Sequence, residues 1–283
     1  MIHFNTAGAG RVSSETLRLM QTYLQEEYAN GAYETELSHA ATLDGEVYES
    51  IARLLGAKPR NIALFEGATK AWVTALNALN WSCGARVVVT PYEYAGNLIA
   101  LSELQRRHGV VIDVMPLLPN GDLDLQWLAQ HMSAQVMLVS VVHVPSCCGI
   151  VNDVEAVGRI LRDFPCFYFV DACQSVGMLP LDMLAIGADV LTAAGRKFLC
   201  GPRGTGFAYL SDGFLAVAQP RFTRLPTEVA VGYSQPRAMP NPALVRYSRL
   251  IAAVKSARSS SPSNTLTAKA LVGAVITASS GHG

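Results

Sequence analysis

The chain has 283 residues, of which 50% are hydrophobic and 16% charged, and this composition is typical of a globular protein with a large buried core. Basic and acidic residues number 22 each, so the overall charge provides no attraction to nucleic acid or to an anionic membrane. The first residues, "MIHFNTAGAGRV", include neither a basic start nor an apolar run, and no segment reaches the ~18 apolar residues of a membrane-spanning helix. We therefore expect a cytoplasmic protein whose partner is a small molecule, with no nucleic acid and no membrane.

Short apolar runs rich in β-branched residues alternate with helical patterns from residue 61 onward. The apolar runs predict strands at residues 61–65, 85–91, 110–117, 136–144, 166–172, 188–195 and 204–211. The helical patterns lie at residues 69–79, 95–109, 123–132 and 152–164. This order predicts an α/β fold with a mainly parallel sheet covered by helices on both faces. Ligands of such sheets bind at the carboxyl ends of the strands, so the residues that follow each apolar run are the candidates for a site.

The end of the chain has a different composition. Residues 229–283 contain no Asp or Glu but six Arg or Lys, so they carry +6, and residues 1–228 carry −6 because the totals balance. The segment is rich in Ser and Ala, which predicts a poorly ordered tail with at most one short helix. We divide the chain into an N-terminal segment at residues 1–15, a large domain at residues 16–235 and an aberrant tail at residues 236–283.

The six cysteines show neither a CxxC pair nor a Cys/His array with the spacing of a zinc site. Cys147 and Cys148 are neighbours in the sequence, which disfavours both a disulfide between them and joint chelation. We expect free thiols and no bound metal.

Two predicted strand ends carry a carboxylate and a lysine, which together suit one cofactor. Asp171 ends an apolar run, Gln174 follows it, and Lys197 lies 26 residues after Asp171, just beyond the next strand. A carboxylate and a lysine from neighbouring strand ends suit pyridoxal phosphate (PLP), because the carboxylate favours a protonated ring nitrogen and the lysine forms a Schiff base with the aldehyde. The lysine then carries the proton at the substrate carbon. Arg196 would hold the phosphate and discourage protonation of the neighbouring amine.

A phosphate also needs hydrogen-bond donors, and the turn Gly67-Ala68-Thr69 opens a helix directly after the strand at residues 61–65. Backbone N–H groups, the Thr69 hydroxyl and the positive end of the helix would form an anion site there. Taken alone, the same residues are more typical of an ordinary helix cap than of an anion site.

These motifs together resemble the class V aminotransferase and cysteine desulfurase family of fold type I PLP enzymes. The motifs of the family occur in its order from about residue 3 to residue 210, as "FNTAGAG", "EGATKA", "EYAGN", "HVPSCCG", "DACQ" and "GRK". Arginine instead of histidine before the lysine, within "GRKFLCGPRGTGF", is nearest to the branch of the ergothioneine-pathway C–S lyase and the isopenicillin N epimerase-like proteins. The resemblance implies a fold type I large domain with PLP as cofactor.

The resemblance implies a role for each residue that matches a motif. Lys197 would form the Schiff base, Asp171 would contact the ring nitrogen, and Gln174 would point toward the ring hydroxyl. Ala68 and Thr69 would contact the phosphate.

Two further matches rest on less specific motifs. Tyr94 would lie over the cofactor ring, although a shift of one residue in the match would place Ala95 there, which cannot stack. Ser146 replaces an asparagine that lies near the ring in desulfurases, and its hydroxyl can still donate one hydrogen bond.

The resemblance also implies a homodimer and a smaller C-terminal domain that supplies an arginine for the substrate carboxylate. Nothing after residue 235 resembles that domain, so we expect an incomplete site. Cys200 follows the lysine within a turn, where a small residue that packs is needed, and we do not expect it to carry a persulfide.

Three hypotheses on function remain open. The first is a PLP enzyme acting on an amino acid, with C–S cleavage or desulfurisation ahead of transamination or epimerisation. The second is a truncated relative without turnover. The third is a nucleotide-binding α/β protein, which the motifs disfavour because "GAGRVS" lacks a third glycine and "GPRGTG" is not followed by Gly-Lys-Ser/Thr.

Overall fold

The computed structural model describes residues 2–219 of the chain. Within this range, seven strands form one sheet in the order β1-β7-β6-β5-β4-β2-β3. The strands are β1 Ile62–Phe65, β2 Arg86–Val89, β3 Val111–Val114, β4 Val136–Val142, β5 Phe167–Asp171, β6 Val190–Ala194 and β7 Gly206–Leu210. Every strand predicted from the apolar runs is therefore present.

The helices of the described residues are α1 Ser14–Asn30, α2 Ala32–Ser38, α3 Val47–Leu55, α4 Ala68–Asn77, α5 Ala95–His108, α6 Leu125–His131, α7 Val154–Leu161, α8 Met183–Ile186 and α9 Asp212–Val217. A π-helical turn at Thr42–Glu46 leads into α3, and a 3-10 turn at Pro59–Asn61 leads into β1. No helix of this part of the chain is long and apolar enough to cross a bilayer.

The direction of the strands sets where a site can form. Strands β3, β2, β4, β5 and β6 are joined by parallel pairings, and β7 runs antiparallel to both β6 and β1. β1 therefore points the same way as β6, and the start of β7 lies between the ends of β1 and β6. The predicted mainly parallel sheet is confirmed, and its carboxyl ends form one edge.

Helices cover both faces of the sheet, as predicted. One core contains buried residues of α3, α6, α7 and α8 together with Val170 of β5. The other contains buried residues of α4, α5 and α9 together with Phe169, the residue next to Val170. Successive strand residues point to opposite faces, so this alternation assigns each side chain of β5 to one core. Trp72 of α4 packs edge-to-face on Phe169 with ring centroids 6.0 Å apart.

The sequence patterns predicted no element before residue 61, where the structure contains three α-helices. In α1 the structure buries only Thr16, while the apolar residues Leu17, Leu24 and Tyr28 of the same helix are exposed. Its start has a local cause, because the Ser13 side chain accepts a hydrogen bond from the Thr16 backbone N–H at 3.0 Å. The predicted tail at residues 236–283 lies outside the described residues, as do residues 220–235 of the predicted large domain.

We predict that Gly158→Ala destabilises the fold. A Cβ at Gly158 in α7 would lie 1.9 Å from the carbonyl oxygen of Ile186, a backbone atom that cannot rotate away. Overpacking of this kind costs about 1–3 kcal/mol, and urea denaturation followed by circular dichroism measures it. Gly213→Ala in α9 is the control, because a Cβ there would make only an ordinary contact with Ser211 Oγ at 3.8 Å. Equal effects of the two substitutions would contradict the prediction.

Candidate active site

Residues predicted for the site lie at one edge of the sheet because the strands that carry them point the same way. Ala68 follows β1, Tyr94 follows β2, Asp171 ends β5 and Lys197 follows β6. Ser146 lies at the same edge, exposed in the turn after β4. The parallel topology thus brings together residues that are up to 129 positions apart in the chain, from Ala68 to Lys197.

Lys197 lies in a tight turn that begins where β6 ends. The Gly195 N–H donates to the Thr205 carbonyl at 3.0 Å, and the Cys200 N–H donates to the Lys197 carbonyl at 2.9 Å. A Cβ at Gly195 would lie 2.3 Å from Thr205 Oγ1, so only glycine fits between the two segments. The lysine is only 8% exposed. The glycines around the "GRK" motif therefore fold the chain back on itself and hold the lysine in a buried position.

Asp171 is the last residue of β5 and is 7% exposed. Its Oδ1 accepts a hydrogen bond from the Cys173 backbone N–H at 2.9 Å, which fixes one side of the carboxylate. Thr192 pairs with Asp171 across β5 and β6, so both side chains lie on the same face. The Thr192 hydroxyl is buried and has no hydrogen-bond partner among the described residues.

Burial and nearby charges of both signs change the pKa of the Cys173 thiol. Burial raises its pKa well above the usual value, and the nearby Asp171 carboxylate raises that pKa further, while Lys197 and Arg196 lower it. Asp171, Lys197 and Arg196 therefore all lie near Cys173 at the sheet edge.

The N-terminal segment covers this position, a role that the sequence motifs did not predict. Gln174 Nε2 donates to the Ala7 carbonyl at 3.0 Å, and Arg196 Nη1 donates to the Gly8 carbonyl at 2.8 Å. The Gly10 N–H in turn donates to the Arg196 carbonyl at 2.7 Å. A Cβ at Gly10 would lie 2.4 Å from the Lys197 carbonyl oxygen, so the segment touches the lysine turn directly.

Arg196 and Gln174, which the sequence predicts to contact the cofactor, thus already donate hydrogen bonds to the main chain of the N-terminal segment. Arg196 has five N–H donors, and one bond to Gly8 leaves others available for an anion. Gln174 uses its amide nitrogen on Ala7, while its Oε1 is buried without a partner in the described part of the chain. The contact of Arg196 with a phosphate and that of Gln174 with a ring hydroxyl stay predictions.

The start of α4 forms a cradle next to the lysine turn. Gly67 is the N-cap residue of this ten-residue helix. Because glycine has no side chain, the first N–H groups of the helix donate no hydrogen bond to a capping side chain. A Cβ at Gly206, the first residue of β7, would lie 2.6 Å from the Gly67 carbonyl carbon and 2.8 Å from the Ala68 nitrogen. Glycine at 206 therefore lets β7 pass against the helix start, where N–H groups and the helix dipole favour an anion.

Tyr94 lies beside this cradle. It is the N-cap residue of α5 and is 43% exposed. A Cβ at Gly96 would lie 2.9 Å from both the Tyr94 ring and the Thr69 methyl group, which places the ring next to Thr69. Ala95, the alternative in the sequence match, is the first residue of α5.

Glu93 is a site residue that the sequence motifs missed. It is 7% exposed, and its carboxylate accepts from the Tyr94 N–H at 3.1 Å, from Asn97 Nδ2 at 2.8 Å and from Ser140 Oγ at 2.9 Å. Burial raises the pKa of Glu93 to about 7, and the charge of Asp171 adds to this rise. The signal in the sequence was an acidic residue shortly after the apolar run that forms β2.

The comparisons with known proteins agree with this geometry. A family model described as "Aminotransferase class-V" matches residues 2–224. The chain belongs to this family. The predicted family and the α/β fold type I architecture are therefore confirmed.

Members of this class V family with curated names give a more specific likeness. A "Probable cysteine desulfurase" of Methanothermobacter thermautotrophicus is 31% identical over 222 residues, covering 77% of this chain and 55% of that protein. "Cysteine desulfurase IscS" of Serratia proteamaculans is 35% identical over 163 residues, covering 56% of this chain and 40% of that protein. The chain thus spans about half the length of the curated relatives it matches.

Two solved structures share the fold. The apo structure of a cysteine desulfurase from Thermococcus onnurineus NA1 matches with a TM-score of 0.70 and 26% identity, covering 78% of this chain and 56% of that chain. The cystine C–S lyase C-DES in complex with cysteine persulfide matches with a TM-score of 0.78 and 21% identity, covering 99% of this chain and 72% of that chain. The second likeness, at this low identity, concerns the fold alone.

We predict that Glu93 makes the stability of the fold depend on pH. Its pKa is raised from 4.5 to about 7 in the folded protein, so the folded state holds this proton more tightly than the unfolded state does. The unfolding free energy therefore falls between about pH 4.5 and pH 7. Relative to Glu93→Gln, which does not titrate, the wild type should lose about 1–3 kcal/mol between pH 5 and pH 8 in urea denaturation.

Glu103→Gln in α5 is the matched control. Hydrogen bonds from Arg106 and Arg107 lower the pKa of Glu103 to about 2, so this carboxylate stays ionised from pH 5 to pH 8. The control and the wild type should keep a constant difference across that range. A constant difference between the wild type and Glu93→Gln would contradict the prediction.

Proposed function

We propose that this class V chain belongs to a PLP-dependent enzyme that cleaves a C–S bond of an amino acid, with chemistry like that of cysteine desulfurases. The observation that carries the proposal is the placement of a buried carboxylate and a buried lysine at neighbouring strand ends, Asp171 and Lys197. The names of the relatives support the substrate class, since the matching proteins include cysteine desulfurases.

The residues present fit PLP by their chemistry. The start of α4 offers backbone donors for a phosphate, Asp171 offers a negative charge for the ring nitrogen, and Lys197 offers an amine for the aldehyde. Two buried polar atoms, Gln174 Oε1 and Thr192 Oγ1, have no partner within residues 2–219, and the Gln174 and Thr192 side chains belong to this edge. A polar ligand that reaches them would remove the cost of leaving them unpaired.

When bound, PLP supplies an electron sink that stabilises negative charge at the substrate carbon. Asp171 would favour the protonated form of the ring nitrogen, and the Cys173 N–H holds its carboxylate in place for that contact. Lys197 Nζ would hold the cofactor through its aldehyde and, as a free amine, would move the proton at the substrate α-carbon. The low exposure of Lys197 would keep water away from this proton transfer.

The other predicted contacts serve binding and orientation. Ala68 and Thr69 would hold the phosphate with the backbone donors of α4, and Arg196 would add charge to the same anion site. Tyr94 would cover the ring, and Gln174 would orient the ring hydroxyl. Ser146, exposed in the turn after β4, would donate a hydrogen bond near the ring.

Sulfur transfer in this proposal does not use Cys200 as the carrier. Cys200 has φ 54° in the lysine turn, and a Cβ at Gly10 would lie 3.0 Å from its Sγ. The thiol therefore fills the space between the turn and the N-terminal segment. We also propose a homodimer with residues 16–235 as its large domain, whereas the cytoplasmic location stays a prediction from the sequence.

We predict that Lys197 is the residue that carries the cofactor covalently. The wild type incubated with PLP should show a near-ultraviolet or visible band that borohydride abolishes, and peptide mapping should find the pyridoxyl label on Lys197. Lys197→Ala should lose the label, because no other amine is buried beside Asp171 within the described residues. Lys70→Ala in α4 is the control and should keep the label. A label on the Lys70 peptide would contradict the assignment.

We predict that Asp171→Asn reduces turnover far more than it weakens PLP binding. The amide keeps the shape and can still accept from the Cys173 N–H, but it cannot balance a protonated ring nitrogen. Sulfide release from L-cysteine should fall about 100-fold or more, a typical loss for a group that stabilises charge in the transition state. The dissociation constant of PLP, measured by fluorescence, should change much less. Equal losses in both measurements would make Asp171 a structural residue.

A further inference from the structure

The buried carboxylate of Glu93 has no role in the chemistry proposed above, yet it connects three elements at the edge of the site. It lies in the turn between β2 and α5, and its own N–H donates to the Thr90 carbonyl at 3.2 Å. Its Oε1 accepts from the Tyr94 N–H and from Asn97 Nδ2, and its Oε2 accepts from Ser140 Oγ in β4. Asn97 and Ser140 are themselves fully buried, at 1% and 0% exposure.

The partners show that the carboxylate acts as an acceptor. The Tyr94 N–H and the Asn97 Nδ2 group can only donate, and the Ser140 hydroxyl can donate or accept. The three bonds therefore hold the first turn of α5 against β4, the strand next to β2 in the sheet. Without Glu93, two N–H donors and a hydroxyl would be buried without this acceptor, which is costly.

The turn between β2 and α5, which Glu93 holds by hydrogen bonds, also contains Tyr94. The backbone N–H of Tyr94 is directly bonded to Glu93, and the Tyr94 ring lies next to Thr69 at the start of α4. The pairing of β4 with β5 sets Ser140 opposite Phe169 and Val142 opposite Asp171, so Ser140 and Asp171 lie on the same face of the sheet. Glu93 thus joins the Asp171 side of the edge to the α4 side through the turn that bears Tyr94.

We propose that Glu93 is a positioning residue that clamps the β2–α5 turn to β4 and thereby sets the Tyr94 ring over the bound cofactor. This inference rests on the proposed PLP function. Glu93 acts through its hydrogen bonds to the turn and touches neither cofactor nor substrate. The charge of Glu93 is not needed for this role, because a glutamine keeps an acceptor for the Tyr94 and Asn97 donors and can donate to the Ser140 hydroxyl, which then accepts.

A double-mutant cycle on PLP affinity tests the clamp in the full chain. Tyr94→Ala should weaken PLP binding about 5- to 10-fold, the size of a lost ring contact, and Glu93→Ala should weaken it by a similar factor. If Glu93 acts through Tyr94, the double variant should bind within about twofold of Tyr94→Ala alone. The dissociation constant of PLP is read from fluorescence, and the absorption band of bound cofactor gives a second readout. Losses that multiply in the double variant would overturn the proposal.

Two conservative variants separate the hydrogen bonds from the charge and protect the test against misfolding. Glu93→Gln should bind PLP within about threefold of the wild type, and a loss as large as that of Glu93→Ala would overturn the clamp in favour of charge. Ser140→Ala removes one link without a charge, and it should weaken PLP binding in the wild type but not in the Tyr94→Ala background. An equal loss in both backgrounds would overturn the proposal even if Glu93→Ala does not fold.

The failure of this inference can be told from the failure of the proposed function. If the wild type binds no PLP, or if the borohydride label lies away from Lys197, the proposed function is wrong and the clamp falls with it. If the wild type carries the label on Lys197 but Glu93 and Tyr94 act independently, only the clamp is wrong.

Discussion

The burial of two opposite charges at neighbouring strand ends is the constraint on which the rest of the site depends. Asp171 and Lys197 are both less than a tenth exposed, and removing either charge from water is costly unless partners replace the solvent. The surrounding structure supplies such partners or space for them. The Cys173 N–H binds the carboxylate, and the turn after β6 encloses the lysine. The buried Thr192 hydroxyl and Gln174 Oε1 have no partner among the described residues and are free to bind a polar ligand.

Close backbone approach is the second feature that shapes the site. At positions 10, 195 and 206 a side chain would collide with the lysine turn, with Thr205 or with the start of α4. Each glycine lets one segment pass directly over another, so the enclosure is built largely from main chain. Main-chain groups are fixed by the fold, and they provide preorganised donors and acceptors around the buried charges.

The two buried carboxylates of the edge have different surroundings and therefore different uses. Glu93 accepts hydrogen bonds on both oxygens from three protein groups, which suits a structural link. Asp171 receives one backbone bond on Oδ1 and lies beside the unpaired Thr192 hydroxyl, which suits contact with a ligand. The charge of Asp171 adds to the effect of burial in raising the pKa of Glu93.

The sequence by itself determined the strands after residue 61 and the residues at their ends, because β-branched apolar runs and the geometry of parallel sheets are local and general signals. Only the tertiary structure decided that β7 runs antiparallel between β1 and β6, which sets Gly206 against Gly67. It also decided that residues 7–10 lie over Lys197 and that Glu93 binds Ser140, 47 positions away. These contacts join distant segments through hydrogen bonds and close packing, and such contacts leave no periodic pattern in the sequence for either segment alone to reveal.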